Sequence, residues 1–499
     1  MAPVSRVLAV LCLIVLVVAA CGGERPTLVG QPRSEPTAAP ASAEEGVRAL
    51  ADVPEAVETP PVAASEKVIR FAVVGQPIFD PIEVSVVEPH QMALIDLVTD
   101  GLTEWDPQRN TWTPAVASSV ETSDGGQTWR FGLDAATFSD GTAIVGDDVV
   151  RTFERIMADS LSLPATRLEV VDAVVAVDAE TVEFRLSQPF GEFPALVSSP
   201  VYGIVPAGPL DGTVSSGPFA VAADGRLRSA TGEYAFELVP LPAEEAAVAA
   251  FERGEADLAF VSAAHDGPVG TSASSTVEVH FALNTASPAL ADLEQRRVVV
   301  DAVSRTRVTD AAYGDGAGAI GRLVPRALAC AAPCGGALPE EPASVGPLSV
   351  VYVDEGTGKE AALADAIVED LAAAGIQAVA EGRTLSAFVS EVSAGEHDLV
   401  RSGWIGLFPS ADSQLAPYAS TSPDNVSGYA SQAFDDLLEA ARSTGGALLY
   451  DDARALLEDE AVVLPIARLS VRALVSERIG SIELRHDGSI DLDSLRFAD

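Results

Sequence analysis

Lysine is nearly absent: Lys67 and Lys359 are its two occurrences in 499 residues, and histidine occurs five times. With 73 Asp+Glu against 31 Lys+Arg, the formal net charge is -42. A surface of that sign repels phosphate, which excludes DNA, RNA and an anionic membrane face as partners. Solvated acids account for the charge without a cationic ligand. Aromatic residues are scarce at 6%, and four cysteines leave little for a metal centre. No His-Glu-x-x-His and no Gly-x-Ser-x-Gly occurs, although a Ser/His/Asp set assembled from distant segments stays open. What remains is a folding composition, 48% hydrophobic and 21% charged,. A chain of this length exceeds what one core supports, which predicts two or more lobes.

The first stretch reads as an address. Met1 to Arg6 is short and basic, Val7 to Val18 almost wholly apolar, and Ala19-Ala20-Cys21 follows. That is a secretory n-region, h-region and small-residue cleavage site, too short to span a bilayer comfortably. A cysteine after two alanines resembles a bacterial lipobox. By that resemblance residues 1–20 are removed and Cys21 carries the lipid, several acyl chains giving a stable membrane anchor. The plainer alternative is an ordinary secretory signal with a chance cysteine. Residues 21–66 are rich in Pro, Ala, Glu, Ser and Thr without an apolar period. They read as a disordered linker, reaching about 35–40 Å root-mean-square from the anchor. Cys12 leaves with the leader. Cys330 and Cys334, spaced Cys-Ala-Ala-Pro-Cys, are expected to form a small-loop disulfide in an oxidising exterior. Zinc is the alternative, but it finds no His or second Cys pair nearby.

Local patterns continue into the body. Lys67–Val74 alternates as a strand and Gly75-Gln-Pro77 breaks it. Residues 91–102 place Met92, Leu94, Ile95 and Val98 at helical spacing and predict a helix ending on Gly101. Thr128–Leu133 alternates again. Phe138-Ser-Asp-Gly-Thr142 contains a turn pair. Gly146–Met157 opens with acids that suit a helix dipole and carries Val149, Val150, Phe153 and Ile156 on one face. Lys359–Ala374 followed by Gly375–Val379 is a helix–strand unit of an α/β lobe.

These pieces, with Trp105-Asp-Pro, Pro114-Ala-Val-Ala and Ser123-Asp-Gly-Gly-Gln-Thr-Trp-Arg-Phe, resemble the family 5 extracellular solute-binding proteins of ABC transporters. That is the oligopeptide-, dipeptide- and nickel-binding cluster. Phe138–Thr142 with Asp147-Asp-Val149 is similar to that family's most recognisable stretch. Further matches follow in family order: Ser216-Gly-Pro-Phe219, Ala249–Asp257, Asn284, Arg296–Arg305, Ala373–Ile376, Asp398-Leu-Val, Gly403-Trp404 and Leu464-Pro-Ile466. Most are read as scaffold, with Arg305 pairing or capping at a helix end and Asn284 satisfying backbone near a lobe crossing.

The resemblance implies an α/β, two-lobed periplasmic-binding-protein-like fold of type II, cluster C, with an extra subdomain inserted in lobe one. Lobe one is expected from 67–80, 200–283 and 464–499, the insert from 81–199, and lobe two from 284–463. Ligand is expected in the interlobe cleft. The candidate segment is Trp404, Ile405, Gly406 and Leu407, because a Trp here lies beside the family's cleft and indole offers flat apolar area with one donor. A core role for Trp404 stays open. Peptide-binding members carry an acid three residues after this Trp, where Leu407 stands, and Asp412 cannot be assumed to replace it. Phe79, in the loop after the first strand, faces either the cleft or the core. Asn425 and Tyr429 are further candidates for the cleft wall. His90 has no partner at metal-ligand spacing and is read as a cap or packing residue.

Two glycine patterns are decoys. Gly316-Ala-Gly-Ala-Ile-Gly321 follows a helical segment, Gln295–Thr309, where dinucleotide binding needs a strand feeding a helix. Gly356-Thr-Gly-Lys-Glu360 lacks the first glycine and the hydroxyl of a phosphate loop. The expectation is therefore a non-enzymatic, monomeric receptor without cofactor or metal, lipid-anchored outside the cell membrane. It would pass a small-molecule or peptide ligand to an ABC permease. A ligand sensor or scaffold on the same fold, and less readily a secreted hydrolase, are the alternatives.

Overall fold

The computed structural model describes residues 66–498 apart from 85–87, 108, 110, 134, 160–161, 230–231, 264, 266, 324–344, 355, 357 and 445. The leader, the linker to residue 65, Cys21, and the Cys330–Cys334 pair lie outside the described residues. No helix among the described residues is long and apolar enough to cross a membrane.

Lys67–Val74 is a strand as its alternation predicts, with Ile69, Phe71 and Val73 fully buried. It pairs in parallel with Tyr234–Leu241 on one side and with Leu258–Val261 on the other. A parallel pair needs a long crossover, and here the intervening chain includes a second, four-stranded antiparallel sheet. That sheet runs Ser119–Glu121, Thr128–Gly132, Thr181–Leu186, Val171–Asp178. The helix Gly146–Ala158 buries Val149, Phe153 and Ile156 against it, the face read from the sequence, with Val150 partly buried. Phe153, Phe184 and Phe193 meet there with ring centroids 4.8 and 5.0 Å apart along the chain of contacts.

The large sheet has eleven strands and is mixed. From one edge it runs Ala378–Arg383, Leu348–Val353, Leu399–Ile405, Thr271–Leu283, Val463–Val475, Leu258–Val261, Lys67–Val74, Tyr234–Leu241, Leu227–Ser229 and Phe219–Val221, with Ala317–Ala319 also on Val463–Val475. Thr271–Leu283 and Val463–Val475 are antiparallel neighbours in the interior of this sheet. Residues 271–274 pair with 470–473, and residues 278–282 pair with 463–468, with a register shift between Ser274 and Glu278. The Ser275 hydroxyl fills the irregularity: it donates to Leu469 O at 2.8 Å and accepts from Val277 N at 3.1 Å. A bulge of this kind bends a strand locally without ending the pairing.

Two boundaries differ from the sequence expectation. The helix expected over 91–102 is Pro89–Val98, and Thr99 is already extended. Gly101 does not cap it. A Cβ there would lie 2.8 Å from Val197 O, so close backbone approach is what requires the glycine,. The helical segment expected over 295–309 is two helices, Leu293–Ala302 and Arg305–Tyr313. Ser304 breaks it, its hydroxyl accepting from Arg307 N,. The helix expected over 359–374 is Lys359–Ala373, with Leu363, Ile367 and Leu371 buried, and the strand after it is Ala378–Arg383.

Candidate functional site

Leu399–Ile405 carries the candidate segment into the middle of the large sheet. Trp404 stands opposite Glu278 and Ile405 opposite Val277. The chain then leaves the sheet beside the strand irregularity: Gly406 N donates to Thr276 O at 3.4 Å, and Gly406 O accepts from the Thr276 hydroxyl. Thr276 crowds the position where a Cβ on Gly406 would stand. Ile405, Leu407 and Phe408 are buried in the apolar cluster that also holds Phe131, Phe153, Phe184 and Phe193. Leu407 is therefore packed in hydrocarbon. Its backbone carbonyl faces the buried His486, whose pKa is lowered chiefly by burial.

Trp404 is 7% exposed, and its Nε1–H has no hydrogen-bond partner among the described residues. The guanidinium of Arg167, the last residue of the short helix Leu163–Arg167, lies over the indole with Cζ 4.0 Å from the ring centroid. Stacking a cation on this ring face is favourable, the more so where water is displaced. Burial pushes the Arg167 pKa down, opposed first by Asp424, then by Tyr202 and Asp412. Asp424 is in turn raised by burial and lowered by Arg167, and its Oδ1 is buried without a partner among the described residues.

A second contact joins the same two regions. Ser410 caps the helix Ala411–Leu415 by accepting from Ser413 N, and its hydroxyl donates to Glu192. Burial first, and Asp412 next among the raising influences, push the Glu192 carboxyl up to about 7, against the opposing Ser410 and Arg442. Asp412 is held by Arg442, whose Nε lies 2.6 Å from Oδ1. It is thus committed to a protein partner.

The other sequence candidates lie in different surroundings. Asn425 Nδ2 donates to Tyr429 O at 2.7 Å, and its Oδ1 accepts from the Ser427 hydroxyl at 2.7 Å, so its side chain ties its own loop. Tyr429 is 4% exposed and packs with Phe434, ring centroids 5.7 Å apart. Phe79 packs against the cluster of Ile69, Phe71 and Val73 and covers Gly212. His90 Nε2 lies 3.1 Å from Val74 O, and burial pushes its pKa down to about 4. Among the described residues no group of three or more His, Cys, Asp and Glu is arranged to hold a metal ion. Asn284 donates to Gly395 O and His397 O, the backbone service expected of it. Arg167, Glu192 and Asp424 escaped the sequence reading. None carries a local motif, and only the tertiary fold brings the first onto Trp404.

Comparison with known proteins accords with this architecture. Residues 111–426, more than half of the chain, match the family model described as bacterial extracellular solute-binding proteins, family 5 Middle. A probable di/tripeptide-binding protein 5 of Pseudomonas aeruginosa (strain UCBPP-PA14) is 25% identical over 479 residues, covering 80% of this chain and 90% of that protein. A probable D,D-dipeptide-binding periplasmic protein of Escherichia coli (strain K12) is 34% identical over 110 residues, 22% of this chain and 20% of its own. Among solved structures, the unliganded open form of the periplasmic murein tripeptide-binding protein MppA superposes with a TM-score of 0.72 at 18% identity, covering 84% of this chain and 94% of that one. A nickel ABC transporter protein from Bacillus halodurans gives 0.70 at 18% identity, covering 86% and 100%. The eleven-stranded mixed sheet is thus that of the type II binding-protein fold, and the chain belongs to the family 5 bacterial extracellular solute-binding proteins.

Proposed function

We propose that the chain is the membrane-tethered receptor of an ABC importer. It captures a small solute, a peptide or peptide-like molecule, between its lobes and presents it to a permease. The observation that carries this reading is the pair of antiparallel strands Thr271–Leu283 and Val463–Val475 in the interior of the large sheet, with an irregular register at 274–278. Trp404 stands beside that irregularity. Two bodies joined through bendable strands can close on a ligand, and higher affinity for one arrangement shifts the population toward it. The names of the relatives support a peptide-like ligand. No covalent step is part of the proposal.

The division into lobe one (67–80, 200–283, 464–499), insert (81–199) and lobe two (284–463) belongs to the same proposal. So do removal of residues 1–20, lipidation of Cys21 on the extracytoplasmic side, a Cys330–Cys334 disulfide and a monomeric state. The wall is proposed from Trp404, Ile405, Gly406 and Leu407, with Phe79, Asn425 and Tyr429 at greater remove. Native mass spectrometry of the exported full chain, purified without denaturation, is the test. A co-purifying mass, released on unfolding and competed by added peptides, is expected. Absence of any bound mass, together with no thermal shift across peptides, sugars, amines and metal chelates, would overturn the receptor reading.

A further inference from the structure

Around Trp404 three polar groups have hydrogen-bonding capacity that the protein does not use. Arg167 has no hydrogen bond and no ion pair with any described residue, only its stack on the indole and longer-range charge interactions. Trp404 Nε1–H and Asp424 Oδ1 are buried without partners among the described residues. Asp424 is the carboxylate that acts most strongly on Arg167, yet no direct ion pair joins them. Neighbouring acids are committed elsewhere, Asp412 to Arg442 and Glu192 to Ser410. Polar groups withdrawn from water without partners are costly, and two of them, beside a guanidinium that makes no hydrogen bond with any described residue, point to a missing occupant,.

We infer that Arg167, Trp404 Nε1–H and Asp424 form an anchor for a dipolar solute head. A carboxylate of the solute is received by the guanidinium and the indole N–H, and an adjacent ammonium or amide N–H donates to Asp424 Oδ1. The inference rests on the solute-binding reading above and names the chemistry of its ligand. The guanidinium fork matches a carboxylate in two-point geometry, and its place over the Trp404 ring, with Cζ 4.0 Å from the centroid, holds it beside the indole,. Leu407 supplies no charge, so in this chain the ammonium partner comes from Asp424, on the loop after the Trp segment. A solute lacking the carboxylate leaves Arg167 unmatched in the closed protein, which is the basis of discrimination.

The test uses the full exported chain and three probes: alanyl-alanine, its C-terminal amide and its N-acetyl form. Binding is followed by calorimetry and by the Trp404 indole N–H resonance, assigned with Trp404→Phe. The free acid is expected to bind at least about tenfold more tightly than the amide, a typical loss for an unmade charge-assisted hydrogen bond. Arg167→Gln is expected to erase that difference, Arg167→Lys to keep part of it, and Asp424→Asn to weaken alanyl-alanine more than the N-acetyl form. Thermal melting confirms that each variant folds. Equal binding of acid and amide, or unchanged acid binding by Arg167→Gln, overturns the anchor while solute capture stands. The anchor also falls if a ligand carried from a cell extract binds and proves to have no acidic group, or if none of the acids moves the indole resonance. If neither probes nor extract yield a bound solute, the receptor reading falls with it.

Discussion

Glu278 and Arg468 face each other across the antiparallel strands Thr271–Leu283 and Val463–Val475, directly after the register irregularity, and two guanidinium nitrogens of Arg468 donate to the same carboxylate oxygen. Glu278 is 1% exposed. The pair therefore pins the strands where the bend lies, inside the protein and out of reach of salt screening. Arg468→Ala leaves a carboxylate buried without its main partner and is expected to cost about 3–5 kcal/mol. Adding Glu278→Gln should recover much of that loss. Urea denaturation of the single and double variants reads the coupling.

Asp257 is a hub for the first strand and the chain after Val475. It accepts from Arg70 N at 3.0 Å and Arg70 Nε at 2.9 Å, and from Arg478 at 2.8 Å. Burial works against its charge, but the Arg70 side-chain and backbone donors and then Arg478 hold its carboxyl at about 2. Its folded pKa lies below the unfolded value of about 4, so the stabilisation is complete above that pH and is lost as pH falls through about 2. The contribution is about 2 kcal/mol. Asp257→Asn should lower stability at neutral pH and flatten the acid limb, measured by unfolding between pH 2 and 6.

Glu192 has the opposite sign. Its folded pKa is raised to about 7, mainly by burial, so between about pH 4.5 and 7 the folded chain holds more protons than the unfolded one. Stability from this group declines as pH rises through that window, by about 3 kcal/mol at most. Glu192→Gln should remove the slope and raise stability above pH 7 while keeping a partner for Ser410. Asp100, also pushed up to about 7 by burial and Glu104, leaves a second slope that Asp100→Asn should remove separately.

Gly316, first residue of the dinucleotide-like pattern, packs on backbone. A Cβ there would lie 1.4 Å from Ala263 O. Gly316→Ala is expected to destabilise by about 2–3 kcal/mol through forced displacement of that segment, without altering any response to nucleotides. Nucleotide titration of the wild type should give no thermal shift, which checks the reading of this pattern as a packing device.

Local patterns were legible where the signal is local. Lys67–Val74 and Gly146–Ala158 follow from the spacing of Ile69, Phe71 and Val73 and of Val149, Phe153 and Ile156, because burial of one face imposes the period,. The end of Pro89–Val98 was not legible: Gly101 resembles a cap, but its lack of a side chain serves the passing Val197 carbonyl. The break before Arg305 turns on the Ser304 hydroxyl, a capping signal that the apolar period of its flanks obscured,.

The site divides in the same way. Trp404 could be singled out from its segment, because the order of short motifs along the chain names the family and so the strand on which it rides. Asn425 and Tyr429 could be named but not assigned, since an amide or a phenol serves a loop or a ligand equally until its neighbours are known. Arg167 on Trp404, Glu192 under Ser410 and the idle Asp424 oxygen arise from pairings between distant segments. Composition, periodicity and motif order are properties of neighbouring residues and survive in one dimension. Which charges lose water, and which of them find a partner, is decided only when segments distant in the chain, Arg167 and Glu192 on one side and Trp404 and Ser410 on the other, pack together.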